Sequence, residues 1–253
     1  MSEQDSNQNT QNKVALITGG VRRIGAEIAT LLHEQGFRLA LHYRNSRTEA
    51  KALQEKLNAI RADSVILIQA DLHVTKGLNA LVKSTLESFS QLDVVINNAS
   101  SFYPTPISKA TEEDWDDLVG SNLKAPFFLA QAAAPALKKS NGCIINIVDI
   151  HAQNPLKAHS IYCMAKAGLA MMTKSLAKEL GPEVRVNGVS PGAILWPENE
   201  MDELTQQRIV SRSFLKRQGN PSDIAQTVLF LATKAPFITG QIIAVDGGRS
   251  LNV

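Results

Sequence analysis

Tyr162 and Lys166 stand four residues apart in a stretch, Ile161 to Leu180, whose apolar residues recur at helical spacing. One turn of helix puts the phenol and the ammonium on the same face. A cation beside a phenol favours the phenolate, drawing a tyrosine pKa down from about 10 toward working pH and making it a usable acid. The same pair also fits one buried tyrosine and one exposed lysine, so its meaning depends on context. Asp149 supplies part of that context, because it closes the fifth expected strand, Ile144 to Val148. A carboxyl near a phenol can hydrogen-bond to it and pass a proton to a ring nitrogen, although a strand-ending aspartate can equally be a turn or cap residue.

A second constellation lies near the start of the chain. Lys13 to Gly25 reads Lys-Val-Ala-Leu-Ile-Thr-Gly-Gly-Val-Arg-Arg-Ile-Gly: an apolar run that stops in glycines and resumes with Ile24, Ile28 and Leu31 at helical spacing. Strand, tight turn and helix in that order point backbone N–H groups and the positive end of a helix dipole at one spot, which suits a pyrophosphate. Gly19 and Gly25 fall where such a turn needs positive φ or where helix and strand approach too closely for a Cβ. A glycine pair beside a strand is by itself only a turn signal.

The elements that must position these groups follow in a regular alternation. After the first strand (Val14 to Ile17) and helix come a strand at Phe37 to Tyr43 and an amphipathic helix at Thr48 to Ile60. A third strand, Val65 to Ala70, ends at Asp71; a helix through Leu78, Leu81, Val82, Leu86 and Phe89 leads to a fourth, Leu92 to Ile96, ending at Asn97. Thr111 to Lys139 is helical, but Gly120, Pro126 and Pro135 should interrupt or bend it. Pro126 has no N–H to offer the carbonyl of Asn122, which is left free if the helix continues. Val184 to Val189 and Ile242 to Val245 complete the strands, and Pro221 opens the last helix. The expected fold is α/β: a single-domain, doubly wound (Rossmann-type) parallel sheet of about seven strands with helices on both faces. Residues 1–12 are expected to be a disordered tail, residues 13–253 the domain, and the irregular segment 194–219, which holds Trp196 and Pro197, a lid. In such sheets ligands sit beyond the carboxyl ends of the strands, which draws attention to Asp71, Asn97, Asn98, Ser100, Asp149 and Ser190.

Composition sets outer limits. In 253 residues, 26 basic against 24 acidic side chains leave a net charge of +2, too balanced for a protein whose task is gripping nucleic acid or a membrane surface. No apolar run approaches the ~18 residues a membrane span needs. The only cysteines, Cys143 and Cys163, lie in apolar surroundings and no signal-peptide pattern opens the chain, so a cytoplasmic location with reduced thiols is expected. His33 and His73 have no partners at metal-ligand spacing, and no metal is expected. His151 and His159 flank the loop between Asp149 and Tyr162 and could touch substrate, but exposed loop histidines are commonplace.

Thr18-Gly19 to Gly25, Asn97-Asn98-Ala99, Asn122, Tyr162-x-x-x-Lys166 and Pro191-Gly192 together resemble the short-chain dehydrogenase/reductase family over nearly the whole chain. Within it, three departures resemble the pteridine reductases: Arg23 where most members have a second glycine, Asp149 where most have serine, and the run Ser100-Ser101-Phe102-Tyr103-Pro104. The resemblance implies Tyr162 as proton donor, Lys166 on the nicotinamide ribose, Asn122 holding a relay water, and Asp149 assisting as a fourth catalytic group. It implies a pterin ring stacked between Phe102 and the nicotinamide, with Arg23, Ser100 and Asp149 on its polar edge or the cofactor phosphates.

The implied cofactor contacts come from Gly19, Arg22, Arg23, Ile24 and Gly25 in the first turn, and from His42, Tyr43, Arg44, Asn45 and Ser46 after the second strand. Further contacts come from Asp71 and Leu72 beside the adenine, from Asn98, Ala99 and Ser100, from Tyr162 and Lys166, and from Pro191 and Gly192. NADPH is favoured over NADH on charge, because the second strand ends in His-Tyr-Arg-Asn-Ser-Arg with no acid to grip ribose hydroxyls, and Arg22 lies nearby. Whether Arg44 or Arg47 meets the 2′-phosphate stays open, and simple surface charge is the alternative. The expected activity is NADPH-dependent reduction of a pterin, dihydropterin or dihydrofolate, by a homotetramer on the family pattern. The rivals are a carbonyl (3-oxoacyl-type) reductase with the same Tyr/Lys chemistry and a non-catalytic NADPH-binding regulator.

Overall fold

The computed structural model describes residues 10–196 and 202–252. Its sheet has seven parallel strands in the order β3-β2-β1-β4-β5-β6-β7. They are β1 (Val14–Ile17), β2 (Arg38–Tyr43), β3 (Val65–Gln69), β4 (Val94–Asn97), β5 (Cys143–Ile147), β6 (Arg185–Pro191) and β7 (Ile242–Val245). Between them run helices α1 (Arg23–Glu34), α2 (Arg47–Ile60), α3 (Thr75–Phe89), α4 (Glu112–Val119), α5 (Ala125–Ser140), α6 (Ser160–Leu180), α7 (Glu203–Ser211) and α8 (Pro221–Thr233).

Period-two geometry explains why β1 reads as an unbroken apolar run. In β1, Ala15 and Ile17 face a core shared with Ile28 and Leu32 of α1 and Val228 and Leu231 of α8. Val14 and Leu16 face the opposite core, with Leu78 and Leu81 of α3, Leu129 and Leu137 of α5 and Leu169 of α6. Both faces are covered, so no position in the strand is left for a polar side chain. The strand order turns back between β1 and β4, where the chain winds first one way and then the other. The crevice at that reversal opens between the loops that follow β1 and β4. Registers Ile17↔Ile96, Asn97↔Asn146 and Ile147↔Val189 align the carboxyl ends of β1, β4, β5 and β6 along one rim.

The helix expected over Thr111 to Lys139 is three pieces. Thr111 and Asp114 form a reciprocal capping box that starts α4. The chain then widens into a π turn over Gly120–Lys124 before α5 continues to Ser140, with Pro126 in its first turn and Pro135 inside it. The break falls where proline withholds its N–H from the Asn122 carbonyl. Of the expected N-terminal tail, residues 1–9 lie outside the described residues. Thr10 is buried, and Asn12 N–H donates to the Gly36 carbonyl, so residues 10–12 form a packed turn. In the expected lid, residues 197–201 including Pro197 lie outside the described residues; of the rest, α7 is helical and Ser213 to Leu215 pack against Gly247. Among the described residues no helix is long and apolar enough to cross a membrane.

Candidate active site

The glycine loop is built by what it lacks. A Cβ on Gly25 would lie 2.2 Å from the Gly19 carbonyl oxygen and 2.7 Å from Asn98 Nδ2, and Gly19 itself sits at φ +59°. Only glycine lets α1 start this close to the β1 end, which leaves a cradle of bare backbone facing the rim. The β4 end is sewn to it: Thr18 Oγ1 accepts from the N–H groups of Asn98 and Ala99, while Asn98 Nδ2 donates to the carbonyls of Thr18 and Gly19 at 3.0 Å. Asn98 thus holds the loop through its side chain.

Arg23 has φ +52°, the left-handed region where an L side chain costs roughly 1–2 kcal/mol. That is the physical reason a glycine is usual at this position. The strained arginine reaches across the crevice, and its Nη2 donates to the Trp196 carbonyl at 3.0 Å, joining the glycine loop to the base of the expected lid.

The corner after β2 departs from expectation at His42. Its ring is buried and turned into the loop, with Nδ1 accepting from Gly19 N–H at 3.2 Å and Nε2 facing the Ala70 carbonyl at 3.1 Å. Burial lowers its pKa, as a group that must keep one nitrogen bare requires. Tyr43 and Leu72 are likewise packed into the two cores, and Ile24 and Ala99 lie partly buried against them, so their side chains serve packing. Arg44 and Asn45 are exposed at this corner and Ser46 precedes α2. Arg22 Nε lies 3.7 Å from Glu49, an exposed pair that contributes little to stability.

The reacting corner lies at the β5 end. Tyr162 projects from the first turn of α6, and its hydroxyl donates to Asp149 Oδ2 at 2.8 Å; Asp149 Oδ1 accepts from His151 N–H at 2.8 Å. Lys166, one helical turn on, is 2% exposed and donates to the Ile147 carbonyl at 2.9 Å, with Nζ 5.7 Å from the Tyr162 ring centre. The expected lowering of the tyrosine pKa is not found. Burial first, and then the Asp149 charge and hydrogen bond, push Tyr162 well above its ordinary value. The ammonium is the perturbed base: burial brings Lys166 down to about 8, against the pull of Asp149. The phenol therefore keeps its proton, which is the state of a donor.

Asn122 stands in the π turn, buried, with Nδ2 donating to the carbonyls of Ser101 and Leu118 and Oδ1 accepting from Ser100 Oγ at 2.7 Å. It fixes the loop that carries Phe102. That ring is 47% exposed, meets Tyr162 edge-on at 4.8 Å and is stacked by His159 at 4.8 Å with a 16° tilt. His159, discounted above as a loop histidine, thus covers one face of the ring. Pro191 and Gly192 lie at the β6 end, where a Cβ on Gly192 would sit 2.7 Å from Asp246. Asp71 is not a helix cap, since α3 is preceded by Val74; its carboxylate takes the backbone and ring N–H groups of His73. A cavity of about 820 Å³ lies beside this site, behind the β6 end, lined by Ile194, Val210, Phe214 and Arg249 among others. No cluster of three metal-ligating side chains occurs among the described residues.

The rim thus brings a protonated phenol, a carboxylate, a buried ammonium and an exposed aromatic ring together beside a glycine cradle. Comparisons with known proteins bear on the family. A family model described as enoyl-(acyl carrier protein) reductase matches residues 19–250. Pteridine reductase 1 of Leishmania tarentolae is 36% identical over 94% of this chain and 96% of its own length. The 3-oxoacyl-[acyl-carrier-protein] reductase FabG of Staphylococcus aureus is 39% identical over 93% of this chain and 97% of its own. A (2S)-[(R)-hydroxy(phenyl)methyl]succinyl-CoA dehydrogenase subunit, BbsD of Thauera aromatica, is 36% identical over 95% and 98%. Identity at this level does not rank one substrate over another, but the fold, the glycine cradle and the extent of these matches agree: the chain belongs to the short-chain dehydrogenase/reductase family of nicotinamide-dependent oxidoreductases.

Proposed function

We propose that this oxidoreductase is an NADPH-dependent pteridine reductase that reduces a C=N bond of a pterin, dihydropterin or dihydrofolate. The observation that carries the reading is the 2.8 Å bond from the Tyr162 hydroxyl to Asp149, with the Phe102 ring against the same phenol. A reduced nicotinamide, when bound, would supply the hydride to a ring carbon, and a ring nitrogen must then gain a proton. Tyr162 gives that proton, Asp149 orients the hydroxyl and hydrogen-bonds the ring edge, and Lys166 offsets the negative charge left on the phenol. Asn122 holds the Ser100 to Phe102 loop and borders the route by which the phenol regains a proton.

The glycine cradle fits a dinucleotide pyrophosphate, and Arg23 at its mouth would meet either a phosphate or the ring. The exposed Arg44 and nearby Arg22, with no acid ending β2, favour the 2′-phosphate of NADPH. The two free, buried cysteines suit a reducing cytosol. Exposed Phe127 on α5 and Met164 and Met171 on α6 suit a homotetramer with helix faces buried between subunits.

A second reading, reduction of a 3-oxoacyl thioester, is favoured by the similarity to 3-oxoacyl reductases. Following NADPH and NADH oxidation with dihydrobiopterin, dihydrofolate and acetoacetyl thioesters separates the two. Turnover of the pterin substrates at least tenfold above the thioester is expected, with NADPH preferred; the opposite order would replace the proposal with the second reading. Phe102→Ala is expected to raise KM for the pterin by roughly tenfold, from one lost ring–ring contact and its burial, with little change in NADPH affinity. Equal losses for both ligands would show that Phe102 only packs.

A further inference from the structure

We propose that His73 is a positioning residue: an imidazolium that ties the β3 end, where the nucleotide half of the cofactor would lie, to the π turn and loop that frame the reacting ring. The inference rests on the reading above for what that loop holds. Its basis is that both ring nitrogens face only acceptors. Nδ1 lies 2.8 Å from Asp71 Oδ1, and Nε2 lies 3.2 Å from the Asp117 carbonyl and 3.3 Å from Asp117 Oδ1. A neutral imidazole has one N–H and would turn a lone pair on an oxygen at one end, whereas an imidazolium donates at both.

The bridge spans two elements that are distant in sequence and adjacent at the rim. Asp71 follows β3, while Asp117 is in the last turn of α4, just before the π turn that carries Asn122. Gly120, the first residue of that turn, gives the ring its room, since a Cβ there would lie 2.6 Å from His73 Cδ2. From Asp117 the connection continues: its carbonyl also accepts from Ser121 Oγ at 2.8 Å, and Ser121 Oγ lies 3.4 Å from Ser101 N–H in the Phe102 loop.

The charged and titratable groups around the junction favour the cation. Burial alone would lower the His73 pKa, but the bonds and charges of Asp71 and Asp117 outweigh it and raise the value above 6.5. Asp71 also feels Arg44, and Tyr103 beside Asp117 and Asp114 is pushed up to about 12 by burial and by their charges, so it stays neutral. The sign follows from linkage. The contribution of the bridge is complete below 6.5 and is lost as pH rises through the raised pKa of His73.

The test follows the full-length protein with dihydrobiopterin and NADPH, and reads the His73 imidazole by proton NMR. His73 should titrate above its ordinary value, and KM for dihydrobiopterin should rise roughly tenfold, one charge-assisted hydrogen bond, with the same midpoint while kcat changes little. In His73→Gln the KM step should vanish, and in Asp117→Asn both the imidazole titration and the KM step should move to lower pH. Superimposable KM profiles for the natural protein and His73→Gln, or an imidazole titrating at or below 6.5, would overturn the bridge. Thermal melts and NADPH fluorescence titrations of each variant separate misfolding from a positioning loss. Because the imidazole titration needs no substrate, a failure of the pterin reading would leave it intact, and the KM profiles would then be taken with whichever carbonyl substrate is turned over.

Discussion

Tyr162→Phe is expected to lower kcat for the reduced substrate by about a thousandfold, within the range that general acid groups contribute, while NADPH affinity stays within about twofold. The phenyl ring keeps the shape of the site and its edge contact with Phe102, so the change removes only the proton and its bond to Asp149. Asp149 is partly accessible and water can replace the lost donor, so the melting temperature should fall by only a few degrees, as for one net hydrogen bond. Single-turnover oxidation of bound NADPH separates the chemical step from product release. Activity within threefold of the natural protein would remove Tyr162 from the role of acid and point to Lys166, whose pKa burial brings down to about 8.

The second large effect is expected from Asp149→Ser. Serine can still accept from the Tyr162 hydroxyl but carries no charge, so the Asp149 charge no longer raises the Tyr162 pKa while burial of the ring still does. Pterin turnover should fall about a hundredfold, because the ring edge loses a charged hydrogen-bonding partner beside the acid. Turnover of an acetoacetyl thioester should hold or rise, since a ketone needs a proton donor and no carboxylate. The contrast between the two substrates is the measurement that matters. Parallel losses in both would mean that Asp149 is only a turn residue, a role open to it because Oδ1 already accepts from His151 N–H.

The charge corner separates what residue type reveals in a sequence from what it does not. The absence of an acid after β2 is a matter of composition and could be read directly. His42, adjacent in sequence to the same corner, could not: alternation along a strand assigns it a face of the sheet, but whether its ring turns toward a ligand or under the glycine loop depends on the Gly19 N–H that meets it. Tyr43 and Leu72 were expected near the nucleotide, and the structure gives their side chains to the core. The π turn was half legible: Pro126 announced a break, but only the packing of Gly120 against His73 and of Asn122 against the Ser100 loop placed it.

Sequence alone determined the parallel sheet, its crossovers and the rim on which the glycines, Asn98, Asp149 and Tyr162 would meet, because buried strands and amphipathic helices leave a periodic record and right-handed connections leave few ways to assemble them. It also determined that Tyr162 and Lys166 share a helix face, since a spacing of four is fixed by helix geometry. Tertiary structure decided what those groups are chemically. Whether a lysine lowers a phenol or a carboxylate raises it depends on distances and burial between elements far apart in the chain. Here the 2.8 Å approach of Asp149 and the burial of the ring settle it in favour of a phenol that keeps its proton.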